Sequence, residues 1–171
     1  MRALRSGVGL ACAALATLQA CATPERLAAA GDVHALLVSI RDDDRAGFDA
    51  HIDRTALEAE VQAVLMRRAA RLGAAGTGLG VLASGPLAHA AGTLLLRPDT
   101  FRAIAYAYGY QPGAPLPHTL ALATALRPSG SDQVCAVAPR TGACLLTFAR
   151  EDGVWRLVAF DAHRILDGAP S

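Results

Sequence analysis

Apolar residues follow two different rhythms along this chain. Over residues 133–160 they come in three short bursts, QVCAVA, ACLLTF and VWRLVAF, rich in β-branched and aromatic side chains. The turn-forming stretches Pro139-Arg140-Thr141-Gly142 and Arg150-Glu151-Asp152-Gly153 separate them, which predicts three strands in a meander. Strict alternation turns Cys135 and Val137 the same way, as it does Cys144, Leu146 and Phe148, and makes this the expected core face, which Trp155 and Leu157 would continue.

Upstream the period is helical. Leu27, Val33, Leu36, Leu37 and Ile40 recur at helix spacing, with Gly31-Asp32 as a break and N-cap, which predicts a first helix of about ten residues. Beyond the charged turn Arg41-Asp42-Asp43-Asp44-Arg45, Phe48 and Ile52 predict one further helical turn packed inward. The clearest pattern covers residues 55–72, capped by Asp53 or Thr55, with Thr55 and Glu58 in capping-box spacing. Its stripe is Leu57, Val61, Val64, Leu65, Arg68 and Leu72; Arg67, Arg68 and Arg71 suit the negative end of the helix, and Gly73 stops it.

Residues 72–96 contain no Asp, Glu, Lys or Arg, a length that raises a membrane span. Gly76-x-x-x-Gly80 would suit helix packing in lipid. Glycines at 73, 76, 78, 80, 85 and 92, with Pro86 and His89, point instead to a loop followed by a buried helix over 86–96. Pro98 breaks the chain and Thr100 caps a helix over 101–108, with Phe101, Ile104 and Tyr108 on one face. Residues 109–117 read as a Pro/Gly linker, 118–126 alternate as a strand leading into the meander, and a polar tail follows Asp161.

The beginning of the chain sets the compartment. Arg2 and Arg5, the apolar run 8–18 and the small residues 20–22 have the order of a secretory signal, and the run is too short to span a bilayer. Leu18-Gln19-Ala20-Cys21 resembles the lipobox of bacterial lipoproteins, in which the cysteine is lipidated and becomes the first mature residue; ordinary signal-peptidase cleavage around Ala20-Cys21-Ala22 is the competing reading. Ala22 after that cysteine implies the outer membrane of a Gram-negative envelope, facing the periplasm. The expected organisation is a signal peptide over 1–20, a lipid-anchored tether over 21–31, one α+β domain over 32–162 and a tail over 163–171.

Sixteen basic residues, all Arg, face 15 acids. Removing Arg2 and Arg5 leaves 14 against 15, a net charge of −1, with no basic footprint for nucleic acid. The absence of Lys and Asn rules out a P-loop lysine, a Schiff-base lysine and an Asn-linked glycan. In an exported chain Cys135 and Cys144 are expected to form a disulfide. A two-residue loop at Pro139-Arg140 would set them face to face; a four-residue loop over 139–142 would set Cys144 opposite Val137 with Cys135 diagonal to it, and only the first comfortably meets the usual Cα separation.

Candidate chemistry is sparse. Asp42-x-Asp44-x-x-Gly47 with Asp53 imitates a calcium loop, but Ala46 stands where an oxygen ligand belongs and Asp53 is shorter than the bidentate Glu, so a solvated charged turn is the better reading. Gly78-x-Gly80-x-x-Ala83 follows a helix where a dinucleotide fingerprint needs a strand. Histidines 34, 51, 89, 118 and 163 share no helical ligand spacing, and Ser39, Ser84, Ser129 and Ser131 lack a nucleophile elbow. His118, Asp161 and His163 are the one group that strand ends could bring together. No cofactor and no metal are expected.

The order of segments resembles DUF2939, a domain of unknown function in exported proteins of Gram-negative bacteria. The matching residues are the Arg-Asp-Asp-Asp-Arg turn, Phe48-Asp49-Ala50-His51-Ile52-Asp53 leading into Thr55-Ala56-Leu57-Glu58, Leu96-Arg97-Pro98-Asp99-Thr100-Phe101, and Glu151-Asp152-Gly153-Val154-Trp155-Arg156-Leu157. The resemblance covers about residues 30 to 162 and implies no activity or catalytic residue. The expected fold is α+β, with helices on one face of a three- to four-stranded antiparallel sheet, in the manner of cystatin or nuclear-transport-factor domains. The expected function is that of a non-catalytic envelope lipoprotein, anchored at Cys21 and binding an apolar ligand or an envelope protein; the alternatives are a hydrolase using His118, Asp161 and His163, or a structural assembly protein.

Overall fold

The computed structural model describes residues 23–73, 85–107 and 110–161. Helix α1 (Pro24–Asp42) begins where the Thr23 side chain accepts the Arg26 N–H at 3.3 Å, with Pro24 in the first helical turn, where its missing N–H is no loss. It does not break at Gly31-Asp32. A mid-helix glycine costs only about 1 kcal/mol relative to Ala, and burial of Ala29, Ala30, Val33 and Leu36 outweighs it. The helix therefore occupies most of the stretch expected to be a tether over 21–31, and the packed domain starts well before residue 32. Asp43 ends α1 in the left-handed region (φ 57°) and donates its N–H to the Ser39 carbonyl.

Short α2 (Arg45–Ala50) is capped by Asp44 and buries Phe48, whose ring meets Phe101 edge-on at 5.2 Å. The chain then runs briefly extended. Ile52 lies parallel to Leu157, the His51 carbonyl accepts the Leu157 N–H at 3.0 Å, and the Asp53 N–H donates to the Leu157 carbonyl at 2.9 Å. The Asp53 side chain then caps α3 (Arg54–Leu72) by accepting the Ala56 N–H at 3.0 Å, so Asp53 rather than Thr55 starts this helix. Only Leu57 of the expected stripe is buried; Val61, Val64 and Leu65 are half-buried, and Arg68 and Leu72 are exposed.

Helix α4 (Gly85–Leu95) packs on α3 through Gly92, where a Cβ would come within 2.9 Å of Glu58 Cγ. It is not the buried helix expected: Leu96 just past its end is in the core, but Leu94 and Leu95 are exposed. Helix α5 (Pro98–Ala107) starts three residues earlier than expected, because Pro98 suits a first helical position. Among the described residues no helix is long and apolar enough to cross a membrane.

Residues 118–126 correct the sequence reading most. They form helix α6 (Thr119–Ala125), with His118 as its N-cap accepting the Ala121 N–H at 3.2 Å. Ala and Leu are strong helix formers, and packing Ala123 against α1 decides between two patterns the sequence leaves close. The strand preceding the meander is instead β1 (Leu126–Gly130), which includes Pro128 and is mostly exposed.

The three apolar bursts form β2 (Gln133–Val137), β3 (Cys144–Glu151) and β4 (Val154–Phe160), giving an antiparallel sheet in the order β1-β2-β3-β4. Asp152 (φ 50°) and Gly153 (φ 84°) make the tight turn between β3 and β4, as an Asp-Gly pair between strands requires. The fold is α+β, helices first and sheet last. One bulge changes the expected faces. Ala136 pairs with Leu146 but Val137 pairs with Cys144, so Leu145 is an extra residue on β3 and alternation breaks there. Val134, Ala136, Leu146, Phe148, Trp155 and Leu157 join the core with Leu126 and the helices. Cys135 and Val137 belong to the opposite face, and the bulge turns Cys144 to join them, away from Leu146 and Phe148.

Candidate functional site

The disulfide between Cys135 and Cys144 is present, with Cα atoms 5.6 Å apart. Its register is the arrangement with Cys144 opposite Val137, which looked too wide for a bridge; the bulge at Leu145 brings the diagonal pair into range. The bond staples the outer face of the β2–β3 hairpin. Cys21, the expected lipid anchor, lies outside the described residues, as do His163 and the segment 78–83.

Of the hydrolase group, His163 lies outside the described residues and His118 serves as a helix cap. Among the described residues its hydrogen bond goes to the Ala121 N–H, a helix-capping role, and the ring is exposed. The Asp161 N–H donates to the Leu145 carbonyl at 2.9 Å, finishing the sheet. The acids of the calcium-like loop are likewise structural. Asp42 pairs with Arg41 at 2.7 Å, Asp44 caps α2, Asp49 pairs with Arg54 at 2.6 Å, Asp53 caps α3, and α2 itself fills the loop. The Arg41 hydrogen bond holds the Asp42 carboxyl below its ordinary range, and the same bond raises Arg41. Among the described residues no group of three or more His, Cys, Asp or Glu side chains is placed to hold a metal.

Two residues missed by spacing meet where α1, α2 and β4 come together. Asp32 Oδ2, on α1, accepts the Trp155 N–H of β4 at 2.9 Å, and Asp32 Oδ1 stands 3.9 Å from His51 Nε2. His51 Nδ1 is 2.7 Å from the Gly47 carbonyl, which can only accept, so Nδ1 carries the proton and Nε2 faces the carboxylate. This joins α1, α2 and β4, and the Ser39 hydroxyl on α1 is buried and donates to the Leu36 carbonyl at 2.7 Å. The signal in the sequence was an acid on an otherwise apolar helix face, three residues after Ala29 and four before Leu36.

The surface feature with most consequence lies on α4 and α5. Leu94 (62% exposed), Leu95, Ile104 and Tyr106 all project into solvent from these consecutive helices, and the Thr100 hydroxyl donates to the Leu94 carbonyl at 3.2 Å, fixing the corner between them. The sequence carried a hint of this. Three successive leucines, 94 to 96, cannot all face inward on a helix whose residues are spaced by about 100°. Helix α5 is tied to the end of α1, since Arg102 Nη1 donates to the carbonyls of Ile40 and Arg41 at 3.4 and 3.3 Å, and Arg102 Nη2 stands 3.9 Å from Asp43.

No family model matches the chain, and neither does any curated protein or solved structure.

Proposed function

We propose that this chain is a non-catalytic cell-envelope lipoprotein, anchored through Cys21 on the periplasmic side of the outer membrane, whose α4–α5 corner docks an envelope protein partner. One observation carries the reading: half of the large hydrophobic side chains exposed among the described residues lie between Leu94 and Tyr106. Single exposed apolar residues are ordinary, whereas a group of them on adjoining helices marks an interaction surface. A corner of this kind supplies aromatic and aliphatic anchors to a partner without any reacting group.

The test uses the full-length protein in its own envelope, as wild type and as the double variant Leu94→Ser, Ile104→Ser. A discrete cross-linked partner recovered with the wild type and lost with the variant, while the thermal transition stays in place, supports the reading. Equal recovery with both, or recovery with neither, overturns it. Native mass spectrometry of the chain from Thr23 onward adds the ligand arm: a retained lipid-sized adduct would assign the surface to an apolar small molecule instead.

A further inference from the structure

The stretch between the expected anchor and the folded domain is almost absent. Helix α1 is capped by Thr23, two residues after Cys21, so these Cα atoms are separated by at most about 7 Å of extended chain. No slack follows. Arg26 in the first turn of α1 donates from Nη2 to the Ala123 carbonyl at the end of α6 at 2.6 Å, and Ala29 and Ala30 in the next turn are fully buried. The helix start next to Cys21 is thus part of the packed domain.

We infer that the domain rests directly on the phospholipid surface, with the α1–α6 face against the headgroups. The inference depends on the reading of Cys21 as a lipid anchor. Its surface fits that position. Helices α1 and α6 run antiparallel, with Arg26 bonded to Ala123 at one level and His34 Nδ1 bonded to the Pro117 carbonyl at 3.0 Å further along. This pair carries Leu27 and Leu120 exposed, the latter at 59%. Glu25 lies in the first turn of α1, and Arg127 stands exposed just after α6, its Nη1 bonded to the Thr124 carbonyl at 2.7 Å. Arg26 is turned inward by its bond to Ala123, which leaves Arg127 as the exposed cation beside the two leucines. Leucines that enter the acyl boundary beside an arginine that reaches phosphate are the composition of an interfacial helix face.

The start of α1 is held at the lipid, and the α4–α5 corner joins the other end of that helix, roughly 28 Å along it at 1.5 Å per residue over 19 residues, away from the α1–α6 face.

The experiment places a photoreactive side chain singly at 27, 120, 94 or 104 in the full-length protein, reconstituted in vesicles of phosphatidylethanolamine with a minority of phosphatidylglycerol. All four positions are exposed, so the substitutions leave the core untouched. The expected result is several-fold more lipid adduct at 27 and 120 than at 94 and 104. Equal labelling at all four positions, or labelling confined to 94 and 104, overturns the inference. Mass spectrometry of the N-terminal peptide from the same sample separates the two ways of failing. Acylated Cys21 without adducts at 27 and 120 rejects the resting face alone, and unmodified Cys21 rejects the anchor and the face together.

Discussion

Helices α1 and α3 have the same length, 19 residues, and opposite standing in the fold. The pattern of α3 is the cleaner of the two, with large aliphatic residues in one stripe, yet only Leu57 near its start is buried. The pattern of α1 is blurred by small residues, a glycine and an acid, yet α2, α5, α6, β1 and β4 all pack on it. Periodicity reports that a helix has two kinds of face; the number of elements that close on the apolar one is decided elsewhere in the chain. Small residues are what make α1 central, because Ala29 and Ala30 allow close approach on a side where larger residues would hold neighbours off.

The sharpest way to break the comparison is to remove equal side chains from each helix. Leu36→Ala on α1 is expected to cost about 2–5 kcal/mol, the range for a buried leucine. Leu57→Ala should fall in the same range, whereas Leu65→Ala, half-buried on the same helix, should cost roughly 1 kcal/mol. Urea unfolding of the three variants measures this, and a Leu65→Ala loss equal to that of Leu36→Ala would erase the distinction.

Asp32→Ala tests the polar contact of α1. It leaves the Trp155 N–H without its acceptor and should cost about 1–3 kcal/mol in the same assay. Gly31→Ala should act in the opposite direction. A Cβ at Gly31 meets nothing within 4 Å and the position is helical, so the variant should be more stable by about 0.5–1 kcal/mol, read as a raised Tm.

The smallest effect belongs to Asp42, at the end of α1. Its carboxyl is held low by the Arg41 hydrogen bond, so any contribution is present at neutral pH and fades as the pH falls below the ordinary carboxylate range. Both partners are fully open to solvent, and Asp42→Asn should therefore give a Tm indistinguishable from the parent at pH 7 and at pH 3.

Much of the architecture was legible in the residues. The three apolar bursts, the Asp-Gly turn, the helix over 55–72 and the cysteine pair are local signals, and each appears where its chemistry demands. The misses share a cause. His118 and the Ala-Leu run after it suit helix and strand alike, and only the contact of Ala123 with α1, far away in sequence, settles the matter. The core face of β2 was misassigned because one extra residue, Leu145, inverts the alternation on β3, and a bulge leaves no mark in composition. Asp32 and His51 were invisible as a pair because the contact between them is made in space, across α1 and α2. The exposed leucines of α4 were taken for core because apolar character alone does not say which helices lack a neighbour.

Each border of the sheet carries an obstacle to strand addition. On one side β1 carries Pro128, which has no N–H to offer; on the other, Leu157 has already given its N–H and its carbonyl to His51 and Asp53. A binder that pairs with a sheet edge reads main chain and tolerates drift in sequence. A partner at the proposed helix corner would meet side chains instead, so its fidelity would be written in a handful of replaceable residues, and a single exchange there would change which partner is recognised.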